Sequence, residues 1–150
     1  MTPQPSSGRI LAIDPGEKRI GVAAADLRTR VAAPVTTIDA GADPVEAVAQ
    51  LAREQDAQAL VVGLALTLSG ALGPQAQRAQ ALADALAEML DIPVHTWDER
   101  LTSAEARHRL PRQGRRASVR KRRQKGDLDA MAAAIILQAY LDSQRGSASE

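Results

Sequence analysis

Cysteine is absent from the 150 residues. That excludes a disulfide framework, a thiolate zinc site and a catalytic thiol. Histidine is scarce: only His95 and His108 can offer imidazole, and both read more readily as structural or surface residues than as ligands. Phenylalanine is missing, and Trp97 and Tyr140 are the only aromatic residues, which leaves no base-stacking platform of the kind single-strand binders use. Any nucleic-acid contact is therefore expected to be to backbone and shape. No stretch approaches the roughly 18 to 20 apolar residues of a membrane span, and Met1 to Ser7 lacks the charged start and apolar run of a signal peptide. These absences predict a soluble cytoplasmic protein with no membrane partner. The length suits one domain with one core and excludes two that fold alone. Hard, oxygen-ligated metals remain open.

What is present is unevenly spread. The formal charge is only +1, yet Arg107 to Lys125 holds ten of the nineteen basic residues and no acid. The rest of the chain carries nine basic against eighteen acidic residues. A basic run is either a solvated loop or a phosphate-binding segment, and its flanks must decide between them.

Along the chain, Arg9 to Asp14 is a short apolar run closed by Asp14-Pro15-Gly16, which reads as a buried strand ending in a turn. Ile20 to Ala25 and Val31 to Ile38, the latter crossing Pro34, predict two more strands and hence an antiparallel meander. Asp43-Pro44-Val45-Glu46 carries a helix start with Asp as cap and Pro in the first turn, the helix running to about Gln55. Leu60 to Gly63 predicts a buried strand, and Gly73-Pro74 opens a long helix with Ala79, Leu82, Ala83, Leu86 and Leu90 at helical spacing. Ile92 to Trp97 is the last strand. Thr102-Ser103-Ala104-Glu105 is a capping box for a helix that enters the basic run, and Asp127 is placed to cap a final helix carrying Leu128, Ala132, Ile135, Ile136 and Ala139. Residues 1–8 are expected to be a disordered start and 143–150 a disordered, frayed tail, with 9–142 as the domain and a flexible basic loop at about 112–125.

The order βββαβαβαα suits an α/β, ribonuclease-H-like architecture: a five-stranded mixed sheet, three strands in a meander and two added parallel, flanked by helices. Rossmann and flavodoxin-like sheets alternate β and α from the start, and the opening Gly-x-Gly-x-x-Gly is absent. Three carboxylates then stand where structure does not obviously need them. Asp14 ends the first strand, Glu99 follows the last, and Asp129 lies one turn into the final helix. Carboxyl ends of strands one, four and five share a rim in such a sheet, and the last helix can pack over it. Three converging carboxylates need a cation, and oxygen-only ligation suits Mg²⁺ or Mn²⁺. Two such ions about 4 Å apart can position a water and stabilise a leaving oxygen in phosphodiester cleavage. Each acid also has a plainer reading: Asp14-Pro15-Gly16 is an ordinary turn by itself, Asp98 competes with Glu99, and Asp127 competes with Asp129 except as the better cap.

Four segments carry a resemblance: Ile13-Asp14-Pro15-Gly16-Glu17-Lys18-Arg19-Ile20-Gly21, Val62-Gly63-Leu64, Trp97-Asp98-Glu99-Arg100-Leu101-Thr102-Ser103, and Lys125-Gly126-Asp127-Leu128-Asp129 leading into Ala132 to Leu137. Together, in this order, they resemble the YqgF family of pre-16S rRNA nucleases or Holliday-junction-resolvase-like (RuvX) proteins of the ribonuclease H superfamily, over roughly Arg9 to Leu141. The resemblance implies a nuclease in which Asp14, Glu99 and Asp129 ligate a pair of divalent ions, and it favours Glu99 over Asp98. It also implies that Arg19 and Arg100 sit near the rim, where a phosphate contact and a structural ion pair are equally open, and that a substrate-facing loop bears Arg115, Arg116, Arg120, Lys121, Arg122, Arg123 and Lys125. Where the family continues after Gly-Leu with Pro and then Asp-Gly, this chain has Ala65 and Ser69-Gly70.

The expected activity is phosphodiester hydrolysis in structured nucleic acid, leaving a 5′-phosphate and a 3′-hydroxyl by superfamily analogy. The expected role is processing of the 5′ end of pre-16S rRNA, with pre-ribosomal particles as partners. Resolution of branched DNA by a homodimer is the alternative. An actin-like or sugar-kinase-like phosphatase also opens with an Asp-x-Gly turn, but it needs a second lobe that 150 residues do not hold. A non-catalytic nucleic-acid-binding protein with vestigial acids is the rival from another class.

Overall fold

Ile10 to Ile13 is buried on both faces because it forms the middle of a sheet, not an edge. A computed structural model describes residues 8–39, 41, 43–67, 69–101 and 125–148. Within these the elements are β1 (Arg9–Pro15), β2 (Arg19–Asp26), β3 (Ala32–Asp39), α1 (Pro44–Glu54), β4 (Ala57–Leu64), α2 (Pro74–Met89), β5 (Val94–Asp98), a single 3₁₀ turn (Glu99–Leu101) and α3 (Lys125–Ala148). The strand order is β3-β2-β1-β4-β5. The first three strands pair antiparallel, while β4 joins β1 and β5 joins β4 in parallel. This is the expected ribonuclease-H-like sheet, a meander extended by two crossover units.

Strand alternation sorts the core into two layers. Leu11 and Ile13 of β1, Ile20 and Val22 of β2, and Leu60 and Val62 of β4 face α1 and α2, where Val48, Ala49, Leu82 and Leu86 complete a buried cluster. The intervening residues Ile10, Ala12, Ala23, Ala25, Ala59 and Val61 face α3 and meet Ala133, Ala134, Ile136, Leu137 and Tyr140. That second layer is built mostly from alanine on both sides, which lets helix and sheet approach closely. Much of the chain's alanine is thereby explained: it sets the depth at which α3 lies on the sheet.

The helix starts follow the local chemistry. Asp43 caps α1, its Oδ1 accepting from the Glu46 amide at 3.3 Å, with Pro44 in the first turn where no amide proton is needed. Pro74 opens α2 in the same way. Three boundaries differ from expectation. β4 starts at Ala57 instead of Leu60, because Arg9 and Ile10 of β1 offer partners to Ala57 and Ala59. Helix α3 is described from Lys125, two residues before the expected cap position Asp127. The helix also continues through Ala148 where a frayed tail from Ser143 was expected: no Pro interrupts it, and the Ser143 hydroxyl satisfies itself on the Tyr140 carbonyl at 2.7 Å within the same helix. The helix expected from Thr102, residues 102–124 of the basic segment, and residues 1–7 lie outside the described residues.

A buried amide ties α3 to the meander. The Gln138 side chain is 2% exposed; its Oε1 accepts from the Ala32 amide at 2.9 Å and its Nε2 donates to the Arg30 carbonyl at 3.2 Å. Arg30, held at φ 57°, donates from a guanidinium nitrogen to the Leu141 carbonyl at 3.1 Å. The turn between β2 and β3 is thus pinned to the helix from both partners.

Candidate active site

The alternation that puts Ile10 and Ala12 on the α3 side carries Asp14 to the same side, at the carboxyl end of the central strand. Asp14 lies opposite Gly21 of β2 in the antiparallel register. A Cβ on Gly21 would come within 1.9 Å of the Asp129 carbonyl oxygen. Only a glycine lets the first turns of α3 rest on β2 at this depth, and that contact sets Asp129 above the Asp14–Gly21 pair. A second glycine does the same for the third acid. Gly63 of β4 pairs with Trp97 of β5, and a Cβ there would meet Ile136 Cδ1 at 2.8 Å and the Glu99 Cγ and Oε2 atoms at 3.4 Å. Glu99 folds over Gly63 from the 3₁₀ turn that follows β5. The sequence singled out the three acids; Gly21 was legible as a site of close packing, whereas Gly63 was noted only within a motif. Its signal is a glycine inside an otherwise apolar strand.

The electrostatics record this proximity. The carboxyl groups of Asp14 and Glu99 lie within hydrogen-bonding reach. Burial, then the charge of Asp129, raises the Asp14 pKa, while its contact with Glu99 acts the other way. Burial, the charge of Asp14 and the shared contact push Glu99 up to about 7. Two carboxylates pressed together retain a proton. Glu99 Oε2 is buried and meets no donor among the described residues. Asp129 is different, because Arg19 Nε donates to its Oδ2 at 2.9 Å.

Neighbouring candidates take other partners. Asp98 is engaged by Arg100, whose Nε lies 3.1 Å from both carboxylate oxygens, whose terminal nitrogen lies 2.7 Å from Oδ2, and whose amide donates to Oδ1 at 2.9 Å. This holds Asp98 below the ordinary carboxylate range and leaves Glu99 as the acid that meets Asp14. The Arg100 guanidinium sits beside Gly70, at φ 87°, in the loop after β4 where the chain departs from the family pattern. The His95 ring stacks on Tyr140 at 5.7 Å, Trp97 meets Tyr140 edge-on at 5.9 Å, and burial lowers the His95 pKa. His108, Arg115, Arg116, Arg120, Lys121, Arg122 and Arg123 lie outside the described residues, as does the Lys125 side chain.

The donor set suits a hard divalent cation: carboxylate oxygens only, one of them without a donor among the described residues, and two close carboxyls whose mutual repulsion a cation would relieve. In the conformation described, no group of three Asp, Glu or His side chains among the described residues closes on one point. Asp129 is turned to Arg19, and Asp14 with Glu99 forms the close pair.

A ribonuclease-H-like sheet with carboxylates gathered at its rim defines the class as phosphodiester-hydrolysing nucleases. Residues 8–143 match the family described as "RuvX: Holliday junction resolvase", and the chain belongs to that family. It is 48% identical over 139 residues to a protein of Chloroflexus aggregans named "Putative pre-16S rRNA nuclease", covering 91% of this chain and 94% of that one. A Chloroflexus aurantiacus protein of the same name is 46% identical over 141 residues, covering 92% and 89%. Among solved structures, Thermus thermophilus RuvC in complex with a Holliday junction substrate is similar at TM-score 0.55 and 15% identity, covering 93% of this chain and 96% of that one. The last likeness concerns the fold.

Proposed function

We propose that this nuclease is metal-dependent and processes the 5′ end of pre-16S rRNA. The observation that carries the reading is the close pair of Asp14 and Glu99 at the rim, with Asp129 of α3 seated over Gly21 beside it. Asp14 would be shared between two Mg²⁺ or Mn²⁺ ions, Glu99 and Asp129 each holding one. Bound ions supply an activated water and charge neutralisation at the leaving oxygen. The chain's own part is to fix the carboxylates. The arginine-rich segment supplies affinity through phosphates, which position a substrate without reading its sequence.

The choice of RNA rests on the names of the relatives at 46–48% identity. The family's description favours a second reading, cleavage of branched DNA by a homodimer. Both are tested by one experiment. End-labelled pre-16S leader RNA, linear RNA, linear DNA and a four-way DNA junction are incubated with Mn²⁺, Mg²⁺ or EDTA, wild type beside Asp14→Asn. The proposal expects metal-dependent cutting of the leader that the variant loses. Preferential cutting of the junction selects the second reading, and salt-sensitive binding with no cutting of any substrate overturns both in favour of a non-catalytic binding protein.

A further inference from the structure

Arg19 carries more than a position on the rim. It is the first residue of β2 and shares with Gly21 the face turned to α3. Those two residues take hold of the two ends of Asp129: Gly21 receives its main-chain carbonyl at a distance no other residue permits, and Arg19 receives its side chain. The contact is made by Nε, which has a single hydrogen, and it engages only Oδ2. A bond through the two-pronged end of the guanidinium would occupy both oxygens; this one leaves Oδ1 without Arg19. Asp14 stands directly across from Gly21, so Asp129 is docked by main chain and side chain over the carboxylate it must join.

We infer that Arg19 is a positioning residue for the third carboxylate, fixing one oxygen of Asp129 so that the other is presented to a divalent ion shared with Asp14. The inference rests on the metal-dependent reading above and deepens it. It assigns Arg19 to the metal site, in place of the substrate phosphate contact that the sequence resemblance left open. Two effects oppose each other when Arg19 is removed. Loss of a neighbouring cation favours binding of an ion, but both side chains are more than a third exposed, so that repulsion is screened. Loss of an orienting partner of a ligating group lowers metal affinity by about 10- to 100-fold. Orientation is the larger effect here, because the Asp129 carbonyl is packed against Gly21 and the bond from Arg19 Nε is what directs its side chain.

The test is Mn²⁺ binding by the full chain, read from the electron paramagnetic resonance signal of the free ion, for wild type, Arg19→Gln and Arg19→Lys. Affinity for a nucleic-acid duplex in EDTA is measured beside it. The expected result is at least 10-fold weaker Mn²⁺ binding in both variants, with affinity for nucleic acid in EDTA changed by less than twofold. In an Asp129→Asn background, Arg19→Gln is expected to cause no further loss. Unchanged or tighter Mn²⁺ binding overturns the inference, and so does a variant whose only defect is nucleic-acid binding. If Arg19→Gln does not fold, Arg19→Lys, which keeps the cation and loses the Nε geometry, carries the same test alone. Wild-type protein that binds no Mn²⁺ overturns the metal-dependent reading itself, which sets that failure apart from a failure of Arg19's role.

Discussion

Asp14 and Glu99 are placed against each other at a cost in folding free energy, and the cost has a definite dependence on pH. Both carboxyls titrate higher in the folded chain than in the unfolded one, Glu99 at about 7. Below about pH 4 both states are protonated and the pair contributes nothing. As pH rises toward 7 the unfolded chain releases protons that the folded chain retains, so stability falls through that window and levels off above it. For half-buried carboxyls in contact with solvent the loss is on the order of 1 kcal/mol. Urea unfolding midpoints in EDTA are therefore expected to be lower at pH 8 than at pH 5 from this contribution, and Asp14→Asn is expected to shrink the difference and raise the midpoint at pH 8 while abolishing cleavage. The two glycines separate by the same logic of contact. Gly21→Ala drives a methyl into main chain at 1.9 Å, and α3 must lift, at a cost of about 3 kcal/mol or more in urea denaturation with loss of activity. Gly63→Ala meets the end of the Ile136 side chain, which can turn, and touches Glu99. It is expected to cost about 1 kcal/mol in the same denaturation measurement, with kcat lowered far less than in Gly21→Ala, because the added methyl meets Glu99 only at van der Waals distance.

At the scale of elements, strand parity was the most legible signal. The alternation from Ile10 and Ala12 to Asp14 fixes which side of the sheet the first acid takes. Parity does not reach Glu99, which lies in the turn beyond β5; adjacency made Asp98 and Glu99 equivalent by composition, and the bond from Arg100 to Asp98 separates them. Capping chemistry located α1 and α2, since Asp43, Pro44 and Pro74 act within one turn of themselves. The ends of α3 were not legible, because no local breaker marks either one and tertiary contacts with β2 and β3 extend the helix. Nor was Gln138 anticipated: a polar residue on an apolar helix stripe acquires meaning only when the turn it serves, more than a hundred residues earlier, is folded beneath it. Gln138→Leu fills similar space but strands the Ala32 amide and the Arg30 carbonyl. It is expected to cost about 1 to 3 kcal/mol in urea denaturation, with kcat unchanged below the transition, since the pin lies more than two turns along the helix from Asp129.

Over the whole molecule the decisive feature is the separation of charge. A body with nine more acidic than basic residues outside Arg107 to Lys125 repels nucleic acid. Attraction has to come from the basic run, whose ten charges outweigh that deficit only when they meet phosphates together. Each phosphate neutralised releases condensed counterions, so affinity falls with salt in proportion to the number of contacts. Replacing Arg115, Arg116, Arg120 and Arg122 with Gln is therefore expected to reduce the slope of log K against log salt by about 3 to 4 units, whichever duplex or single strand is used. A urea midpoint measured beside it checks that the fold is kept. Turnover at saturating substrate should then hold while KM rises steeply at moderate salt. Filter binding across a salt series, followed by kinetics at two salt concentrations, checks both halves. An unchanged slope would mean that the run does not touch phosphate, and a fall in kcat at saturation would mean that it shapes the reacting geometry as well as capturing the strand.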